Sequence, residues 1–318
     1  MTTTSYLIHY KMNYKYLLIN LFLLTSLMGQ AQSLPQFSNY RFNKLAYNPG
    51  YAGSKEALSV TSIYRNQWAA ITGAPKTIHV QVHAPFLNRK CGIGFSITSD
   101  KIGVEEQSSL DAVYAYRLSL GETGKLSFGL SARLEYTSVG WNRLQLTDVV
   151  DDVLPDVSTS LLHPNFGAGI YYATPQFYLG ISAPNLLKTT IFRGDSNNPF
   201  TIANDRTYYL MTGGYFKISK QVKILPSAMI SLTNNAPVKL DMGVNFIFFD
   251  AFWIGGNYRF ADSFDALVQY QFNKQLRIGV ALDFTTSELS SYTRGSYELM
   301  AEYLFSFDGN KISNIRFF

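Results

Sequence analysis

The stretch KLDMGVNFIF, Lys239 to Phe248, restricts the fold more than any other part of the chain. Leu240, Met242, Val244, Phe246 and Phe248 are apolar, while Lys239, Asp241, Gly243 and Asn245 between them are polar or small. Successive side chains of a β-strand point to opposite faces, so a period of two gives a ribbon with one oily face and one wet face. Two surroundings fit such a ribbon. One is a soluble sandwich with a dry core behind it. The other is a membrane barrel with lipid outside and a polar lumen inside.

The same alternation recurs. Leu276, Ile278, Val280, Leu282 and Phe284 oppose Arg277, Gly279, Ala281 and Asp283. In the last apolar segment Tyr297, Leu299, Ala301, Tyr303 and Phe305 oppose Glu298, Met300, Glu302 and Leu304. About fourteen strands are expected, over 58–67, 76–84, 91–99, 108–118, 124–136, 165–173, 176–183, 207–217, 222–232, 238–248, 252–260, 264–272, 276–285 and 296–306, with those at 207–217 and 222–232 fitting the pattern least well. Their connections sort by length. Every second one is short, as at GETG (121–124), Thr174-Pro175 and Asn273-Lys274, whereas 137–164, 184–206 and 286–295 among the others are long, although 233–237 and 261–263 are brief. Short turns on one rim and taller loops on the other are the outer-membrane pattern, and a Greek-key sandwich has no reason to produce it.

Composition then excludes several classes. Charged residues are only 15% and aromatics also 15%, with mean hydropathy −0.02. Few charges and many rings, without a long apolar run after residue 31, suit strands that show lipid half of their side chains. Aromatics such as Tyr116, Tyr136, Phe249 and Phe272 fall near strand ends, where membrane interfaces attract them. Lys11 and Lys15 precede the apolar run Leu17–Leu27, and Gly29 and Ala31 have the spacing of a signal-peptidase site, so cleavage is expected after Ala31. The net charge of +5 becomes +3 when those two lysines leave, too weak and scattered for nucleic-acid binding. The single Cys91 rules out an internal disulfide framework.

The expected organisation is therefore a signal peptide over 1–31, a periplasmic or luminal arm over 32–57, a transmembrane antiparallel β-barrel over 58–306, and a periplasmic tail over 307–318. No catalytic constellation, cofactor motif or metal site is expected, and the protein reads as no enzyme. His79 and His83 share a face but stand roughly 13 Å apart, too far for one metal, and read as a lumen-facing pair. GIG at 92–94 and GAG at 167–169 lack the pattern of a nucleotide loop. They read as places where strands curve or where something packs against the wall. The Asp-rich DVVDDVLPD (148–156) reads as a solvated loop rather than a calcium site. Arg117, Arg133, Glu135, Lys239, Asp241, Arg259, Asp265, Arg277, Asp283, Glu298 and Glu302 all fall on the inner face. Their mixed sign argues for a braced, plugged bore rather than a charge-selective pore.

The segment ahead of the first strand, PQFSNYRFNKLAYNPGYAGS (35–54), resembles the N-terminal signature of the PorP/SprF family of type IX secretion outer-membrane proteins. The matches are Pro35, Phe37, Ser38, Tyr40, Asn48, Pro49, Tyr51, Ala52 and Gly53. The likeness continues in YRNQWAAITGAPKT (64–77), PNFGAGIYY (164–172), YLGISAPNLL (178–187), ILPSAMI (224–230) and FWIGGNYR (252–259). GSYELMAEY (295–303) occupies the place of a family motif with Tyr297 where His is common, and NIRFF lacks the usual preceding Ser-Pro. The resemblance implies a non-enzymatic barrel in the outer membrane of a Bacteroidetes-type bacterium, active in secretion or gliding. It implies as partners a large adhesin with a C-terminal sorting domain, periplasmic ring and motor components, and outer-membrane lipid. Phe37, Tyr40, Asn48, Pro49, Tyr51, Trp68 and Glu298 are the expected partner-binding residues, with the arm facing the periplasmic machinery. A passive porin or small-solute transporter is the alternative.

Overall fold

The computed structural model describes residues 36–55, 57–141, 158–193, 201–234 and 236–305. The expected signal peptide, the Asp-rich loop and the C-terminal tail lie outside the described residues. The strands are β1 (Leu58–Asn66), β2 (Lys76–Phe86), β3 (Cys91–Ile102), β4 (Glu105–Leu120), β5 (Gly124–Val139), β6 (Thr159–Ala173), β7 (Phe177–Asn185), β8 (Thr189–Arg193), β9 (Thr201–Asn204), β10 (Thr207–Gly214), β11 (Phe216–Lys217), β12 (Val222–Thr233), β13 (Lys239–Phe248), β14 (Phe252–Arg259), β15 (Ser263–Gln271), β16 (Leu276–Thr285) and β17 (Ser296–Phe305).

Every neighbouring pair is antiparallel, and the sheet closes because β1 also pairs with β17, Leu58 opposite Phe305 and Asn66 opposite Tyr297. Fourteen strands make this closed wall. The short β11 continues β10 past Tyr215, and both pair with β12. Closure is a physical requirement, since an open edge would leave backbone N–H and C=O groups in hydrocarbon without partners. The alternation holds along the wall: Phe284 is 52% exposed and Asp283 beside it 5%. The outward face carries Ile97, Leu130, Leu162, Val268 and Phe284, and the inward face carries the ionisable residues.

The short connections 87–90, 121–123, 174–176, 218–221, 249–251 and 272–275 lie on one rim, together with the start of β1 and the end of β17. The opposite rim holds 67–75, 286–295 and the connections after β5 and β7, and also the brief connections between β3 and β4, β12 and β13, and β14 and β15. Two expected loops are shorter than the sequence suggested. Strands β4, β5 and β6 run for 16, 16 and 15 residues, well past the roughly 9–11 that span a bilayer. They carry this sector of the wall beyond the membrane. The connection after β7 contains the separate hairpin β8–β9. Of the two segments with weak alternation, the first holds an irregularity, since the β10–β7 register shifts between Thr207 and Tyr209, whereas β12 pairs in unbroken register with β10 and β13.

Candidate functional site

The bore is filled by the chain's own arm. Residues 36–55 form a compact run of turns: a 3-10 turn at Tyr40–Phe42, one α-turn at Lys44–Tyr47 and a second 3-10 turn at Pro49–Tyr51. The last begins at Asn48, whose side chain accepts a hydrogen bond from the Gly50 N–H at 2.8 Å, and Pro49 follows at the first helical position. This is the chemistry that starts a helical turn, because the cap satisfies a free N–H and proline has none to satisfy. Gly53 then takes φ +73°, a conformation that disfavours other residues.

The arm is buried on all sides. Phe37, Tyr40, Phe42, Leu45, Tyr47 and Tyr51 are core residues, and Asn39, Asn43 and Asn48 are fully enclosed. Its first residues lie toward the long-loop rim. There Glu298 accepts from the Ser38 N–H at 2.9 Å and from the Asn39 N–H at 3.0 Å. Arg65 donates to Ser38 Oγ at 2.7 Å and to Asp283 at 2.9 Å, Asn257 to the Ser38 carbonyl at 2.6 Å, and Gln269 to Asn39 Oδ1 at 2.9 Å. The middle of the arm crosses toward the other rim. Tyr40 meets Ser227 at 2.9 Å, Arg41 donates to the Leu225 carbonyl, and Phe42 stands edge-on to Trp253 at 5.5 Å. The Arg277 guanidinium lies 4.3 Å from the Phe42 ring and 4.8 Å from the Trp253 ring. Lys44 places its ammonium 4.0 Å from the Tyr178 ring centre. Burial, together with nearby Arg41, Lys55 and Arg277, pulls that ammonium well below its ordinary range.

The arm leaves at the short-turn rim. The Gly53 N–H donates to His83 Nδ1 at 3.0 Å, and Arg117 donates to the Gly53 carbonyl at 2.8 Å. Glu302 there pairs with both Lys55 and Arg277. Three wall glycines make this seating possible. A Cβ on Gly92 would stand 2.0 Å from the Ala52 carbonyl oxygen, one on Gly129 2.1 Å from the Gly50 nitrogen, and one on Gly169 2.2 Å from Asn48 Oδ1. Gly92 of GIG and Gly169 of GAG are thus where the arm lies against the wall, whereas Gly167 faces Ser131 and Pro184 of the wall itself. Two of the spaces left beside the arm are small, about 40 Å³ near Phe37 and Glu135 and about 30 Å³ near Ser54 and Arg117, enough for a water or two.

All eleven ionisable residues assigned to the inner face are there. Arg133 pairs with Asp111 at 2.6 Å and Arg259 with Asp241 at 2.7 Å. His79 and His83 also face inward, each hydrogen bonded separately, to Thr98 and to Gly53. The expected partner-binding set needs correction in its exposure. Phe37, Tyr40, Asn48, Pro49, Tyr51 and Glu298 are all buried in the bore, where the wall and arm use them on each other. They are not presented to the periplasm. Trp68 stands apart in the 67–75 connection, half-buried, at φ 51°, with its N–H donating to Ser296 Oγ at 3.1 Å. Arg65, Asn257 and Gln269 were not singled out by sequence. Their inward position in alternating strands was the available signal. Among the described residues no His, Cys, Asp and Glu group could hold a metal ion.

A family model described as type IX secretion system membrane protein PorP/SprF matches residues 29–303. No curated protein matches the chain. Similar solved structures include the Acinetobacter baumannii outer membrane protein Omp33 (10% identity, 78% of this chain and 96% of that one, TM-score 0.42). The CymD monoaromatic hydrocarbon channel is also similar (10%, 87% and 95%, TM-score 0.47), as is a Pseudomonas aeruginosa FadL homologue (11%, 86% and 95%, TM-score 0.45).

Proposed function

Because this chain belongs to the PorP/SprF family of type IX secretion membrane proteins and is an integral outer-membrane barrel, we propose that it is a non-enzymatic, plugged docking barrel. In this reading it binds a large secreted adhesin with a C-terminal sorting domain, helps secrete it or anchors it at the cell surface. It also links that adhesin to the periplasmic ring and motor components that drive secretion or gliding. The observation that carries the reading is the arm 36–55 seated in the bore, since a passive porin needs an open polar channel. Partner contacts then fall to the two rims. The tall β4–β6 sector, the β8–β9 hairpin and Trp68 serve the adhesin on the long-loop side, taken as the cell surface by the usual barrel orientation. The short turns serve the periplasmic side.

Deleting the gene and comparing adhesin on cells with adhesin in the culture supernatant tests this. Loss of surface adhesin is expected, and unchanged surface retention would refute it. The porin alternative is separated by planar bilayers, where the purified protein is expected to give no steady conductance.

A further inference from the structure

Outside the bore the two rims differ in charge. On the long-loop rim cations stand against carboxylates, Lys101 with Glu106 at 2.7 Å, Lys188 with Asp205 at 2.8 Å and Arg259 with Asp262 at 3.2 Å. The short-turn rim is lopsided. Its connections and strand ends expose Arg89, Lys90, Lys217, Lys220 and Lys274. The carboxylates exposed there among the described residues are Glu122 and Asp250, and Asp250 already pairs with Lys223. Lys90, Lys217 and Lys220 make no ion pair or side-chain hydrogen bond among the described residues. Apolar side chains interleave with these cations, since Leu87, Phe216, Ile218 and Phe272 are all more than half exposed. Leu87 and Phe249 also take φ 46° and 53°, a backbone that suits Gly or Asn, and the chain covers neither side chain. Large apolar groups held outward in this way are stabilised by an apolar medium outside the protein, which sets the short turns at the edge of the hydrocarbon.

Cations at that depth lie level with lipid headgroups. Their field reaches about 8 Å at physiological ionic strength, so they act on headgroup charge whichever way each flexible side chain turns. A zwitterionic headgroup gains little from them, whereas an anionic one is attracted by every Lys or Arg within that reach. We propose that the short-turn rim is a cationic collar that selects anionic phospholipid in the leaflet it borders, through Arg89, Lys90, Lys217, Lys220 and Lys274. An acidic protein surface would match the same charges, but it gives no reason for an exposed apolar residue beside each cationic turn. A lipid meets both demands, with its headgroup on the cations and its chains on Leu87, Phe216, Ile218 and Phe272. The collar adds a headgroup preference to the membrane placement and fixes the depth of this rim.

The test reconstitutes the mature chain into phosphatidylcholine vesicles and measures, with spin-labelled lipids, how strongly phosphatidylglycerol is favoured over phosphatidylcholine in the first lipid shell. One cation per headgroup favours the anionic lipid about fivefold, so an average preference of about two- to threefold over the whole shell is expected at low salt. It should fall toward parity at about 1 M salt, where the Debye length is roughly 3 Å, and this arm needs no variant. Combining Lys90→Gln, Lys217→Gln and Lys220→Gln should remove more than half of the excess while unheated electrophoresis still shows the closed barrel. Lys76→Gln with Arg294→Gln, both exposed on the long-loop rim, should leave the preference unchanged. Parity in the native protein, a preference indifferent to salt, or one lost in the long-loop variant instead of the triple variant would overturn the collar. Binding of a poly-glutamate peptide without any preference for phosphatidylglycerol would also overturn it and assign these cations to an acidic protein surface. None of these readouts requires an adhesin or secretion, so the collar and the docking role fail independently.

Discussion

Glu298 shows how one inward residue can serve both wall and arm. It is fully buried, pairs with Arg65 at 3.4 Å, and accepts the two backbone N–H groups of Ser38 and Asn39. Replacing it by Gln removes a charge from a set of charge-assisted bonds while keeping the volume. A loss of about 2–3 kcal/mol is expected, seen as earlier loss of the compact species when the protein is heated in mild detergent before electrophoresis. Gly129 tests the seating from the other side. Any Cβ there collides with Gly50, so Gly129→Ala should displace the arm or strain it by about 1–3 kcal/mol. Arg41 and Lys44 are nearly enclosed in the native protein. Trypsin is therefore expected to cut at them much faster in the variant, and equal cleavage rates would show that the arm tolerates the new methyl group. The glycines at 92 and 169 were legible in the sequence as positions against which something packs. What packs there was not, because nothing in GIG or GAG encodes a partner tens of residues away.

At the scale of elements, the strands were readable because each carries its own period of two. Their ends were less so. β4, β5 and β6 outrun the bilayer, and beyond the lipid both faces meet water or protein, so the alternation fades while the ladder continues. The arm is the opposite case. Its turns are three or four residues long, too short to display periodicity, and its apolar residues Phe37, Phe42, Leu45 and Tyr51 lie against His79, Trp253, Gly94 and Tyr171 of the wall. Sequence left it as periplasmic or luminal. Removing residues 36–55 should leave the fourteen-strand ladder closed, since none of those residues pairs with a strand of the wall in the sheet. The expected result is a detergent-stable barrel that now conducts in planar bilayers, where the full chain does not.

The whole molecule inverts the usual distribution of polarity, with large apolar side chains on its surface and paired charges inside. Leu130, 64% exposed on β5, belongs to the lipid face. Leu130→Arg is expected to cost about 2–4 kcal/mol if that position lies near the bilayer midplane, measured by denaturant unfolding in lipid vesicles, whereas a soluble protein would barely register it. Family membership and outer-membrane placement agree with this architecture.

The alternation alone determined the strands, their inward and outward faces, and the mixed charges of the bore, because side-chain direction in a strand is a local property that survives without knowledge of its neighbours. The luminal seat of the arm was decided only in three dimensions. Ser38 and Glu298 are 260 residues apart in the chain, and they meet because closure of β1 on β17 brings both ends of the wall around one bore. A contact made by closing a ring leaves no periodic trace in the segments it joins.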